Sequence, residues 1–85
     1  MNEKPKIADD IDISLVEDGY VIYQKEKDKV HYLNKTAILV LESCTGNNTA
    51  SDIQRIMMEA YDLPEAPEKE VADCLNTLFE EGLIK

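Results

Sequence analysis

The chain carries one histidine, His31, two cysteines, Cys44 and Cys74, and eighteen carboxylates in 85 residues. These residue types most often supply acid–base, nucleophilic or metal chemistry. Their spacing here supports none of it. A histidine acting as general base needs a nucleophile to serve and a third group to orient it, and nothing near His31 in the sequence marks either. The carboxylates are dispersed over helix surfaces rather than paired, so two-carboxylate acid–base work is excluded. Cys44 and Cys74 lie thirty positions apart, each inside an apolar helical pattern, and read as free, buried thiols. With one histidine, the ligands for a zinc site are lacking, and no metal or other cofactor is expected. The three glycines, Gly19, Gly46 and Gly82, fall at turns or helix ends and build no phosphate loop.

What remains is recognition without catalysis, and the stretch Val30-His31-Tyr32-Leu33-Asn34-Lys35-Thr36-Ala37 offers a means. Strand-favouring Tyr32 and Leu33 run without a loop into Asn34, a preferred N-cap, and a helix begins beyond it. So tight a junction ties the strand to the helix and leaves one side of it open as a sheet edge. Unpaired N–H and C=O groups along that edge can accept an extended peptide as a further strand. Lys29 guards one end, but Val30 to Leu33 contains no proline and no acid.

Two strands precede this one. Ile11-Asp12-Ile13-Ser14-Leu15 alternates apolar and polar residues, which predicts a strand with one buried face. Asp18-Gly19 supplies a turn, Tyr20 to Tyr23 follows as the second strand, and the charged run Lys25 to Lys29 makes a solvated hairpin tip. Three helices come next. The first is capped by Asn34, buries Ala37, Ile38, Leu41 and Cys44, and ends towards Gly46. The second is capped by Thr49 with Asp52 three residues on, and carries Ile53, Ile56, Met57, Ala60 and Tyr61 on one side. The third starts at Pro67, bears Glu68 and Glu70 near its positive end, and lines up Val71, Cys74, Leu75, Leu78 and Phe79 as an apolar stripe. Gly82 closes it. Strands followed by helices predict an α+β domain, a three-stranded antiparallel sheet with helices on one face. It spans residues 11–85, after a polar, proline-interrupted arm over residues 1–10 that is expected to be flexible.

Composition narrows the partners. With 44% hydrophobic residues the chain can fold, and with no Trp and one Phe its core must be largely aliphatic. No apolar run reaches the roughly 18 residues of a membrane span, and the polar start lacks a signal peptide's apolar region, so a cytoplasmic location is expected. A net charge of −9 opposes nucleic acid. Lys25, Lys27, Lys29 and Lys35 nevertheless cluster around the third strand, whereas Glu65 to Glu81 holds six acids against Lys69 alone. A protein partner with its own charge pattern fits this distribution.

Taken in order, Tyr32-Leu33-Asn34-Lys35-Thr36-Ala37, Leu41-Glu42-Ser43-Cys44-Thr45-Gly46, Thr49-Ala50-Ser51-Asp52-Ile53 and Leu78-Phe79-Glu80-Glu81-Gly82-Leu83-Ile84 resemble the PqqD-like family across residues 11–85. The family includes the peptide chaperone of pyrroloquinoline quinone synthesis, and its fold recurs as the recognition element for precursors of ribosomally made, post-translationally modified peptides. The resemblance implies a winged helix-turn-helix-like arrangement without catalytic activity. It implies that the leader of a precursor peptide adds as a strand beside the third strand, in a cleft closed by the third helix, and is presented to a modifying enzyme, often a radical SAM enzyme, sometimes a protease or cyclase. Carried over by position, the peptide-binding residues are Lys29, Val30, His31, Tyr32 and Leu33 on the strand. On the helix they are Glu70, Val71, Cys74, Leu75, Thr77 and Leu78, with Leu33 and Leu75 as core floor. Thr45-Gly46 stands where many members have Asp-Gly, which touches a turn rather than the edge. The match ends close to the end of the chain, so a stand-alone element is expected. Two other readings are a winged-helix DNA-binding regulator, opposed by the acidity of the third helix, and a structural partner subunit.

Overall fold

A computed structural model describes residues 3–85. Strands β1 (Ile11–Val16), β2 (Gly19–Gln24) and β3 (Lys29–Leu33) precede helices α1 (Lys35–Ser43), α2 (Ala50–Ala60) and α3 (Glu68–Glu80). The strands form an antiparallel meander in the order β1-β2-β3, so β1 and β3 are both edges. Register is continuous from Ile11↔Gln24 to Val16↔Gly19, and from Tyr20↔Leu33 to Gln24↔Lys29. The predicted α+β order is the observed one.

Local chemistry explains the element ends. The Asn34 side chain accepts the Ala37 N–H at 2.8 Å, which caps α1 where β3 stops. Thr49 and Asp52 form a reciprocal capping box on α2: Thr49 Oγ1 accepts the Asp52 N–H at 3.2 Å, and Asp52 Oδ2 accepts the Thr49 N–H at 2.9 Å. Pro67, expected as the first helical residue, sits instead at the N-cap of α3, which begins one residue later at Glu68, and makes no side-chain cap. At the other end Gly82 adopts a φ of +78°. There the Leu83 N–H donates to Leu78 O at 2.9 Å and the Gly82 N–H to Phe79 O at 3.0 Å, the pair of bonds that closes a helix through a left-handed residue. α1 stops earlier than Gly46, with Cys44 as its C-cap.

The core is aliphatic, as composition requires. Ile22, Val40, Leu41, Ile53, Val71, Leu78 and Leu83 are fully buried, and Ile38, Met57, Leu75 and Ile84 nearly so. α1 lies on β2 and β3, while α2 and α3 pack on α1 and on each other. No helix packs on β1. For that reason the face of β1 expected to be buried is only partly so: Ile11 packs against the core, while Ile13 is 40% and Leu15 75% exposed. Phe79, placed in the apolar stripe of α3, is also exposed, because it lies off the side that meets the core.

The reading of residues 1–10 as a flexible arm gives way to structure over residues 5–8. Pro5 and Ala8 are buried. The Ile7 N–H donates to Cys44 O at 2.9 Å, the Ala8 N–H to Leu83 O at 2.9 Å, and Lys6 exchanges backbone bonds with Lys85. This segment straps the end of α1 to the C-terminal residues. Its pairing is by backbone, which composition does not reveal. Met1 and Asn2 lie outside the described residues.

Candidate functional site

β3 leaves its outer side unpaired, and the register shows which groups face outward. The Lys25 N–H donates to Asp10 O at 2.8 Å, so odd-numbered residues of β2 point their backbone groups at β1. Even-numbered ones, Tyr20, Ile22 and Gln24, therefore point theirs at Leu33, His31 and Lys29. The N–H and C=O groups of Val30 and Tyr32 are left facing the free edge. Their side chains, 54% and 79% exposed, stand on the sheet face away from the helices. Lys29, His31 and Leu33 point to the helix side.

The end of α3 meets β3 through Glu81 and His31, and its first turn faces Thr36 at the start of α1. The two elements do not pack directly on one another. Half-buried Leu33, on β3, and Cys74, on α3, both lie against the core. A polar network ties the two elements at one end. His31 Nδ1 meets Glu81 Oε2 at 3.0 Å, and its Nε2 meets Gln24 Oε1. Gln24, fully buried, donates through Nε2 to Glu81 O at 3.1 Å. That bond fixes the amide orientation, so both ring nitrogens of His31 face acceptors. His31 is thus the latch between the edge strand and the C-terminal cap of α3. At the opposite end, where β3 feeds α1, Thr36, Met57, Tyr61, Leu63, Pro67 and Glu70 line an apolar cavity of ≈ 500 Å³. A further hollow of ≈ 450 Å³ lies past the end of the sheet, between Val16-Tyr20 and Tyr32-Asn34. There the absence of a side chain at Gly19 matters, since a Cβ would stand 2.7 Å from Leu33 O.

The eleven residues named from sequence divide by position. Lys29, Val30, His31, Tyr32 and Leu33 form the edge strand; Glu70 and Thr77 are exposed on α3, and Cys74 is half-buried against the core. Val71, Leu75 and Leu78 are buried and hold α3 on the core, with no surface to offer a ligand. Sequence reasoning missed Gln24, Glu81 and the cavity residues of α2. The only local sign of Gln24 was a polar residue at an inward position of an apolar strand. Burial pushes the Cys44 thiol up to about 12, with the neighbouring Cys74 adding to it, and burial raises Cys74 as well. Neither is a thiolate nucleophile at neutral pH.

The site thus combines an open strand edge beside a helix with a polar latch at one end and an apolar cavity at the other. The chain belongs to the PqqD family: the model of that family, described as coenzyme PQQ synthesis protein D, matches residues 19–84. A comparison with the curated proteins finds no match. Among solved structures, the chain is similar to a lasso peptide synthetase B1 complexed with the leader peptide, at a TM-score of 0.74 and 17% identity, covering 96% of this chain and 98% of that one. At that identity the likeness establishes a shared fold. Among the described residues no helix is long and apolar enough to cross a membrane, and no group of three or more His, Cys, Asp and Glu is placed to hold a metal.

Proposed function

We propose that this protein is a non-catalytic carrier that binds the leader of a precursor peptide by strand addition to β3, in a cleft with α3, and presents it to a modifying enzyme such as a radical SAM enzyme. The observation that carries this is the row of free backbone groups at Val30 and Tyr32 on an edge strand that α3 flanks without packing on it. Membership of the PqqD family, and the fold shared with a B1 protein that was solved with its leader, support the same reading.

In this mechanism the leader's main chain bonds to Val30 and Tyr32, which sets register. Its alternate side chains point into that cleft over Leu33 and Cys74, where shape selects them. Lys29, with Lys27 and Lys35 nearby, favours acidic leader residues along the strand, and Glu70 with Asp73 favours basic ones along the helix. The cavity by Thr36 and Glu70 accepts a large apolar residue as the leader leaves the strand.

Substituting Val30 or Tyr32 by proline removes an outward N–H without touching the β2–β3 ladder, so the fold survives and binding does not. Leader affinity measured by calorimetry should fall by at least about tenfold, the loss of a main-chain bond and of close approach together. Retained affinity in a folded Val30→Pro variant would falsify strand addition.

A further inference from the structure

The other edge of the sheet, β1, is built unlike a strand meant to be left bare. The bond from the Lys25 N–H to Asp10 O turns the backbone groups of Asp12, Ser14 and Val16 towards β2. Those of Ile11, Ile13 and Leu15 are left facing solvent. The side chains of Ile13 and Leu15 fall on the helix side of the sheet, beyond the reach of any helix, and Val16 is 41% exposed on the other side. Free edges are normally guarded by a lysine, a proline or a bulge. Ile13 to Val16 contains none of these, and its register with β2 is unbroken.

The flanks are acidic. Asp9 and Asp10 precede the strand and Glu17 and Asp18 follow it, with Asp12 between; Lys25 lies 3.4 Å from Asp12, and Lys85 3.0 Å from Asp9. A second copy pairing antiparallel on this edge would set Asp9 and Asp10 of one chain against Glu17 and Asp18 of the other. A parallel pairing would set each acid beside its equivalent. Like charges opposed across a sheet are destabilising, so this edge is charged against its own copy. It is equally charged against anionic lipid and nucleic acid.

We propose that β1 is a second docking edge, which takes an extended, apolar segment of a partner protein whose flanks are basic. Such a segment pairs with the free groups of Ile13 and Leu15, covers their side chains, and sets its cations against Asp10, Glu17 and Asp18. Because β1 and β3 are opposite edges of one sheet, this partner and a peptide on β3 bind at the same time.

The test is an amide NMR titration of the full chain with a Lys-Lys-Val-Thr-Ile-Thr-Val-Lys-Lys peptide and its counterpart with Glu flanks. The basic peptide should shift the Ile13 and Leu15 amides, and the acidic one should bind about tenfold or more weaker. Leu15→Lys, at an exposed position that leaves the fold intact, should weaken the basic peptide by about tenfold, as loss of a central apolar anchor does. Leu15→Met should restore it. Equal binding of the two peptides, shifts confined to Val30 and Tyr32, or β1 amides that broaden with protein concentration alone overturns the proposal. The Val30 and Tyr32 amides report separately on β3, so failure at one edge is distinct from failure at the other.

Discussion

His31 is the single histidine and invites a catalytic reading, yet its neighbours give it a mechanical one. Its ring is held between the Glu81 carboxylate and the buried amide of Gln24, two groups 57 positions apart that the fold brings into one network. Removing one member leaves the others under-bonded in a half-buried site, which costs more than the bond itself contributes. His31→Ala should therefore lower stability by about 1–3 kcal/mol in urea unfolding. It should also weaken leader binding without any acquired or lost chemistry. The thiols give a second test at this scale. Cys44 is buried and its thiol is held up to about 12, so it should react with iodoacetamide only through global unfolding. Cys74, only half-buried on α3, should react first, and under the proposed mechanism a bound leader should slow it. Equal rates at the two positions in the native protein would contradict the deeper burial of Cys44.

Among the elements, α2 has the most complete local definition. The Thr49–Asp52 box holds the Asp52 carboxyl below its ordinary value, through the Thr49 backbone N–H first, then the Thr49 hydroxyl and Arg55. A carboxyl depressed in the folded state stabilises fully above its unfolded value, and that contribution is lost as pH falls through the lower, folded one. Helix content followed by circular dichroism below about pH 4 should thus fall more gently with acid in Asp52→Asn, from a less stable start at neutral pH. β1 teaches the opposite lesson. Its alternation identified the strand correctly, but period two says only which side chains share a face, not whether anything covers that face. α1 extends across β2 and β3 and stops short of β1, which leaves Leu15 in solvent. The apolar stripe of α3 shows the same limit: Val71, Leu75 and Leu78 meet the core, while Phe79 does not.

Over the whole molecule, the strap of residues 5–8 joins the two ends of the chain, with Ile7 bonded to Cys44 and Ala8 to Leu83. Ile7→Pro deletes the N–H that reaches Cys44 and should cost about 1–3 kcal/mol, measured as a shift in the denaturation midpoint at unchanged slope. The distribution of a −9 net charge belongs to this scale too, with lysines around β3 and acids along α3 and beside β1. By itself the sequence determined the six elements, the caps at Asn34 and Thr49, the closing glycine of α3 and the aliphatic core, because propensity, periodicity and capping act over a few residues. The ordered motifs also carried the resemblance to the PqqD-like family, and residues 29–33 as an edge. Only the tertiary structure decided that His31 latches β3 to Glu81, that Pro5 to Ala8 are docked, and that β1 stays uncovered. Each of those depends on how far a helix reaches and which distant backbone groups meet, and such distances are fixed by packing rather than by neighbours in the chain.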